Sequence, residues 1–191
     1  MNDKEKEPRR REKVLDFRAE NLADAPAEIL ELADFTREFN QESDRGAALV
    51  AASLLDERLK EILQAFFLQS KVSDELLNGY NAPVGTFSSR ASLAFALGLI
   101  QKNEFDEITL IRKIRNEFGH KWKDVTFDSA RIADLCRKLP WLGPSDINGQ
   151  NKPRTRFNFA AVILLTDLMW RENLVSRERR TVRVWPNKSR Q

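Results

Sequence analysis

The sequence predicts an all-α protein, a bundle of helices with charged, basic ends. Three observations carry this. Apolar residues recur at intervals of three and four along most of the chain, which places them on one side of a 3.6-residue helix. Alternation of apolar and polar residues, the mark of a half-buried strand, is nearly absent. Only seven glycines and seven prolines occur in 191 residues, so the chain signals few turns. That length suits one domain with enough chain to bury a core.

Each element has its own justification. Asp24 and Pro26 in "DAPAEILEL" suit the cap and first turn of a helix carrying Ile29, Leu30, Leu32, Ala33, Phe35 and Phe39 and ending near Glu42. The next helix starts at Ser43 or Asp44 and is the longest, with Leu55, Leu59, Ile62 and Phe66 in one stripe opposite Glu57, Lys60 and Glu61. Ser73 is placed to cap a short helix through Leu77, after which "NGYNAPVG" supplies turn residues. Thr86 or Ser88 caps "SSRASLAFALGLI", and "QKN" leaves room only for a tight turn. The following helix, "EFDEITLIRKIRNEF", sets Phe105, Ile108, Ile111, Ile114 and Phe118 on one face, and Gly119 is expected to end it in a left-handed conformation. "FDSARIADLCRKL" makes a further helix. Pro140, Gly143, Pro144, Gly149 and Pro153 break the next stretch into a loop. "FNFAAVILLTDLMWRENL" is nearly apolar throughout and reads as one buried last helix.

Charge divides the chain into three parts: a charged leader over 1–24, a single helical domain over 25–175 and a basic tail over 176–191. Residues 171–191 carry seven Lys/Arg against two Asp/Glu, so the ends, not the body, make the chain basic. Such ends are either solvated tails or contacts for nucleic acid and acidic partners. In "RERRTVRVWPNKSR", arginines stand beside Trp185, a mixture able to track and stack on nucleic acid without sequence preference. The single Cys136 rules out an internal disulfide and a multi-cysteine zinc site, and its apolar helical setting reads as a buried thiol. No cofactor or metal is expected. No apolar run reaches the ~20 residues that span a bilayer, and the charged start lacks a signal-peptide core, so the expected compartment is the cytoplasm.

One stretch carries candidate chemistry. "IRKIRNEFGH" holds the only histidine, His120, with Arg115 and Asn116 upstream. An imidazole can remove the proton of a ribose 2′-hydroxyl, and a guanidinium beside it can hold the phosphate. Asn116 could orient the ring or donate to a phosphate oxygen. On an uninterrupted helix, residues five apart point about 140° away from each other. Sharing a substrate therefore requires either a helix that stops at Gly119 or two such helices meeting across a twofold axis. The alternative is structural: Arg115 pairs with a carboxylate on a neighbouring helix and His120 satisfies carbonyls at a helix end. "GTFSSR" offers Thr86, Ser88, Ser89 and Arg90 at a helix N-terminus, where they serve either a phosphate or the cap itself. No helix-turn-helix pattern, phosphate-loop glycines or HExxH is present.

Across "VGTFSSRASLAFALGLIQKNEFDEITLIRKIRNEFGHKWKDVTFD" the chain resembles the mannitol operon repressor family (MltR, also written MtlR). It is also similar to the wider HEPN helical superfamily, marked by Arg, a polar residue and His four to six residues on. The resemblance is carried by "FSSR", "LGLI" and "IRKIRNEFGH" and covers roughly 83–139, extending through helix order to about 40–175. It implies a compact HEPN-like bundle, dimeric, in a bacterial cytoplasm. For the repressor family it implies a regulator acting through protein partners and not by reading a DNA groove. For HEPN it implies a metal-independent ribonuclease using Arg115, Asn116 and His120, or an RNA-binding remnant of one. Gly119 stands where alanine is the commoner residue.

Overall fold

A computed structural model describes residues 27–120, 123–141 and 152–186. These residues form eight helices and no strand. The leader, with Asp24 and Pro26, and the glycines and proline at 143, 144 and 149 lie outside the described residues.

The longest helix is the axis of the fold. After α1 (Ala27–Gln41), Ser43 caps α2 (Asp44–Phe66), its hydroxyl accepting from the Gly46 N–H at 3.0 Å. The first half of α2 buries Ala47, Ala48, Ala51 and Ala52, whose small side chains let neighbouring backbones approach closely. Its second half buries Leu55, Leu59, Ile62 and Phe66, the stripe read from the sequence. Helices α3 (Lys71–Asn78), α4 (Phe87–Ala96), α5 (Lys102–His120), α7 (Pro153–Met169) and α8 (Arg171–Ser176) all pack on α2. Helix α6 (Ala130–Lys138) closes the far side against α5 and α7. Helix α1 is peripheral: Phe39 is buried, whereas Leu30 faces solvent.

Several boundaries differ from the sequence reading. Ser70, not Ser73, caps α3; the Ser73 N–H donates to the Ser70 hydroxyl at 3.2 Å. Helix α4 stops before "LGLI" because Gly98, at φ +71°, takes the left-handed conformation that favours glycine. The Gly98 and Leu99 N–H groups then bond back to the Phe95 and Ala94 carbonyls, both at 2.9 Å, closing the helix end. The last apolar run is two helices, not one. It breaks at Trp170, and Arg171 turns inward, donating to the Leu99 carbonyl at 2.9 Å and to the buried Glu104 carboxylate at 2.7 Å. Cys136 is fully buried as expected, and burial pushes its thiol up to about 12 despite the opposing Arg156 guanidinium.

Two polar junctions hold the ends of α2. At its start, Asp44 accepts from the Phe127 N–H at 2.9 Å and from the Arg154 guanidinium at 2.8 Å. Arg154 also donates to the carbonyls of Phe39 (3.2 Å) and Glu42 (2.9 Å) and lies 5.4 Å from the Phe127 ring centroid. Beneath it, Phe39, Phe157, Phe127 and Phe118 form a run of ring contacts spaced 4.9 to 6.4 Å. At the other end, the base of the basic C-terminal stretch returns to the helix. The Arg180 N–H donates to the Phe66 carbonyl at 2.8 Å, Arg179 donates to the Gln64 carbonyl at 3.3 Å, and Arg180 covers the Phe66 ring at 5.0 Å. The Arg179 cation thus meets a carbonyl at the negative end of the helix dipole, and the Arg180 backbone serves a second one.

Asp44→Ala should destabilise the protein by about 2–3 kcal/mol, because it leaves the Arg154 guanidinium and the Phe127 N–H without their acceptor in a half-buried place. Urea unfolding measures this; a loss below about 0.5 kcal/mol would show that solvent replaces the carboxylate.

A second prediction concerns pH. Burial, then Asp167, then Glu104 raise Glu107 from 4.5 to about 6. The native state therefore binds more protons than the unfolded chain between those values, and stability falls as pH rises through about 6. Glu107→Gln should match the parent at pH 4 and exceed it at pH 7.5 by about 1 kcal/mol, a figure halved for solvent screening of a partly exposed group. Thermal unfolding at the two pH values checks the sign.

Candidate functional site

Helix α5 presents the candidate triad because its other face is committed to the core. Ile108, Ile111, Ile114 and Phe118 are all fully buried, which turns the intervening residues outward. Arg115 is exposed and donates from its guanidinium to the Asn116 Oδ1 at 3.0 Å; Asn116 itself is half-buried. His120 is exposed in the last turn, where a cation suits the carbonyl end of a helix.

Gly119 does not end the helix. No left-handed φ occurs there, and α5 continues through His120. A Cβ added at Gly119 would meet nothing within 4 Å, so neither crowding nor backbone strain demands glycine. With the helix unbroken, Arg115 and His120 diverge by about 140° and do not converge on one point within the chain. The structure pairs Arg115 with Asn116, while Asn116 and His120, four residues apart, share a face of α5. Nor does Arg115 take the carboxylate of a neighbouring helix. The ion pair joining α5 to α6 belongs to Glu117, which meets Arg131 at 2.6 Å.

The residues of "GTFSSR" are engaged structurally. Thr86 and Ser89 form a reciprocal capping box, each side chain accepting from the other's N–H at 3.1 Å. Arg90 is buried, donates to the Leu77 and Val84 carbonyls at 3.1 Å and lies 2.9 Å from Asp56. It fastens the α3–α4 connection onto α2, which gives this arginine a structural reason.

The sequence did not reveal a groove of ≈ 330 Å³ between α1, α2, α7 and α8. Leu32, Phe35, Leu54, Leu165 and Met169 line it, with Arg58 and Glu172 among its polar groups. The only signal was Leu54, an apolar residue adjacent to the buried Leu55 on the outer side of α2. Among the described residues no group of three or more His, Cys, Asp or Glu is placed to hold a metal, and no helix is long and apolar enough to cross a membrane.

Fold and site together define an all-helical protein that displays its conspicuous polar residues on a helix surface, not within an enclosed cleft. The mannitol repressor family profile, MtlR, matches residues 35–175. The chain belongs to that family. Its fold is similar to that of a chain in the X-ray structure of the MtlR–HPr complex from Escherichia coli, with a TM-score of 0.57 at 20% identity. The match covers 75% of this chain and 99% of that one. No curated protein matches the sequence.

Exposure dictates a clear outcome for substitution. Arg115→Ala and His120→Ala should each leave unfolding free energy within about 0.5 kcal/mol of the parent, whereas Ile114→Ala should cost about 2–5 kcal/mol. Chemical denaturation of the three variants checks this; a large loss from Arg115→Ala would mean that the guanidinium is a structural group.

Proposed function

We propose that the protein is a repressor-type transcription regulator of the mannitol operon that works through protein–protein contact, with an HPr protein as partner. The observation that carries this is the family match, which spans the helical body and leaves both charged ends outside it. The similar Escherichia coli structure is a complex of MtlR with HPr, and this fold supports a partner of the same kind here. An indirect mode is further supported at α3, the short helix preceding α4, which is joined to it by an eight-residue connection fastened by Arg90, not by the tight turn of a helix-turn-helix. A homodimer in the bacterial cytoplasm completes the reading.

The ribonuclease reading of Arg115, Asn116 and His120 is less well supported. It needs guanidinium and imidazole on one phosphate, and the continuous α5 points them apart. A twofold arrangement of two chains is the remaining way to gather them.

The test combines binding and turnover. The full chain mixed with HPr from the same bacterium should form a complex by calorimetry, retained after removal of 1–24 and 181–191. Light scattering should give the mass of two chains for the free protein. The same protein incubated with single-stranded RNA in EDTA should produce no cleavage. Fragments ending in 2′,3′-cyclic phosphate, lost in His120→Ala, would replace the regulator reading with the enzyme.

A further inference from the structure

The stretch after Arg180 is chemically unlike the rest of the molecule. Residues 181–191 contain three cations, Arg183, Lys188 and Arg190, and no acidic residue. Thr181 to Pro186 has neither helix nor turn and is exposed throughout. Trp185 is 64% exposed there, and Val182 and Val184 are 76% and 94% exposed. Indole surface left in water is unfavourable unless something covers it.

The structure separates the arginines of this region by task. Arg179 and Arg180 are engaged on the C-terminal carbonyls and the Phe66 ring of α2. They fix where the segment leaves the body. Arg183 makes no such contact with the body and lies two residues from Trp185. A guanidinium beside a free aromatic face fits a phosphate adjoining an unstacked base. Duplex bases are already stacked on one another, so the indole would find its partner in a single strand. An anionic membrane is a poorer fit, because interfacial segments gather their apolar residues on one side of an amphipathic helix and this stretch forms none.

We propose that residues 181–186 are a contact for single-stranded nucleic acid, with Trp185 stacking on a base and Arg183 holding a phosphate, the stretch anchored at its root by Arg179 and Arg180. Recognition is sequence-tolerant, since every base offers a π-face. The proposal does not rest on the HPr reading, because the segment lies beyond the family match.

Anisotropy of a labelled oligo-dT of about 20 nucleotides, titrated with the full chain over a salt series, tests it. Binding should weaken steeply with salt. Trp185→Ala should weaken it on the order of tenfold. Arg183→Ala should lower the slope of log K against log salt by about 0.7, one phosphate contact on a single strand. Arg179→Ala should leave that slope unchanged. Unchanged binding in Trp185→Ala overturns the proposal. So does segment-dependent binding to phosphatidylglycerol vesicles with none to the oligonucleotide. Calorimetry of Trp185→Ala with HPr should match the parent, so the two readings fail separately.

Discussion

The fold depends on a single junction of charge, the pairing of Asp44 with Arg154. Asp44 opens the central helix, and Arg154 lies in the first turn of α7, 110 residues later. Between them they gather the end of α1, the start of α2, the loop before α6 and the start of α7. Each nitrogen of the guanidinium has a directed task, which a flexible ammonium could not reproduce. The carboxylate sits where a helix N-terminus favours negative charge, so one residue serves both the local helix and the distant contact. The rings of Phe39, Phe127 and Phe157 in the run beneath this junction come from three separate segments, and the polar clamp ties those segments together.

Much of this body was legible in the sequence. Period and capping chemistry are local properties, so the stripe of α2 and the buried face of α5 could be read directly, and the start of α2 and the cap of α4 were narrowed to Ser43 or Asp44 and to Thr86 or Ser88. The misreadings share one physical cause. Ser70 and Ser73 are both good caps by type, and tertiary placement chose between them. Gly98 and Gly119 are both good helix terminators; one takes the left-handed conformation and the other does not. The break at Trp170 has no proline or glycine to announce it. It accompanies the inward turn of Arg171 toward Glu104, a partner 67 residues away that no local pattern reveals.

The candidate site illustrates the same limit. Arg115, Asn116 and His120 were identifiable by type and spacing, but whether Arg115 and His120 converge within one chain depended on the backbone at Gly119. The observed torsion leaves a surface in place of a cleft. It also shifts attention toward features invisible to motif reading, such as the groove flanked by α1 and α8, whose walls come from four helices.

The capping of α2 by Arg179 and Arg180 has a consequence for how the protein is made. All eight described helices are synthesised before those residues exist, yet the last carbonyls of the central helix wait for them. The start of α2 likewise waits for Arg154. Domains emerging from the ribosome tend to fold from the N-terminus as they appear, but here both ends of the axis are completed late. The nascent chain thus carries its longest described helix unfinished until α8 has been made. Termination before Arg179 would release a product whose core helix lacks its closing contacts, although every residue of that helix is present.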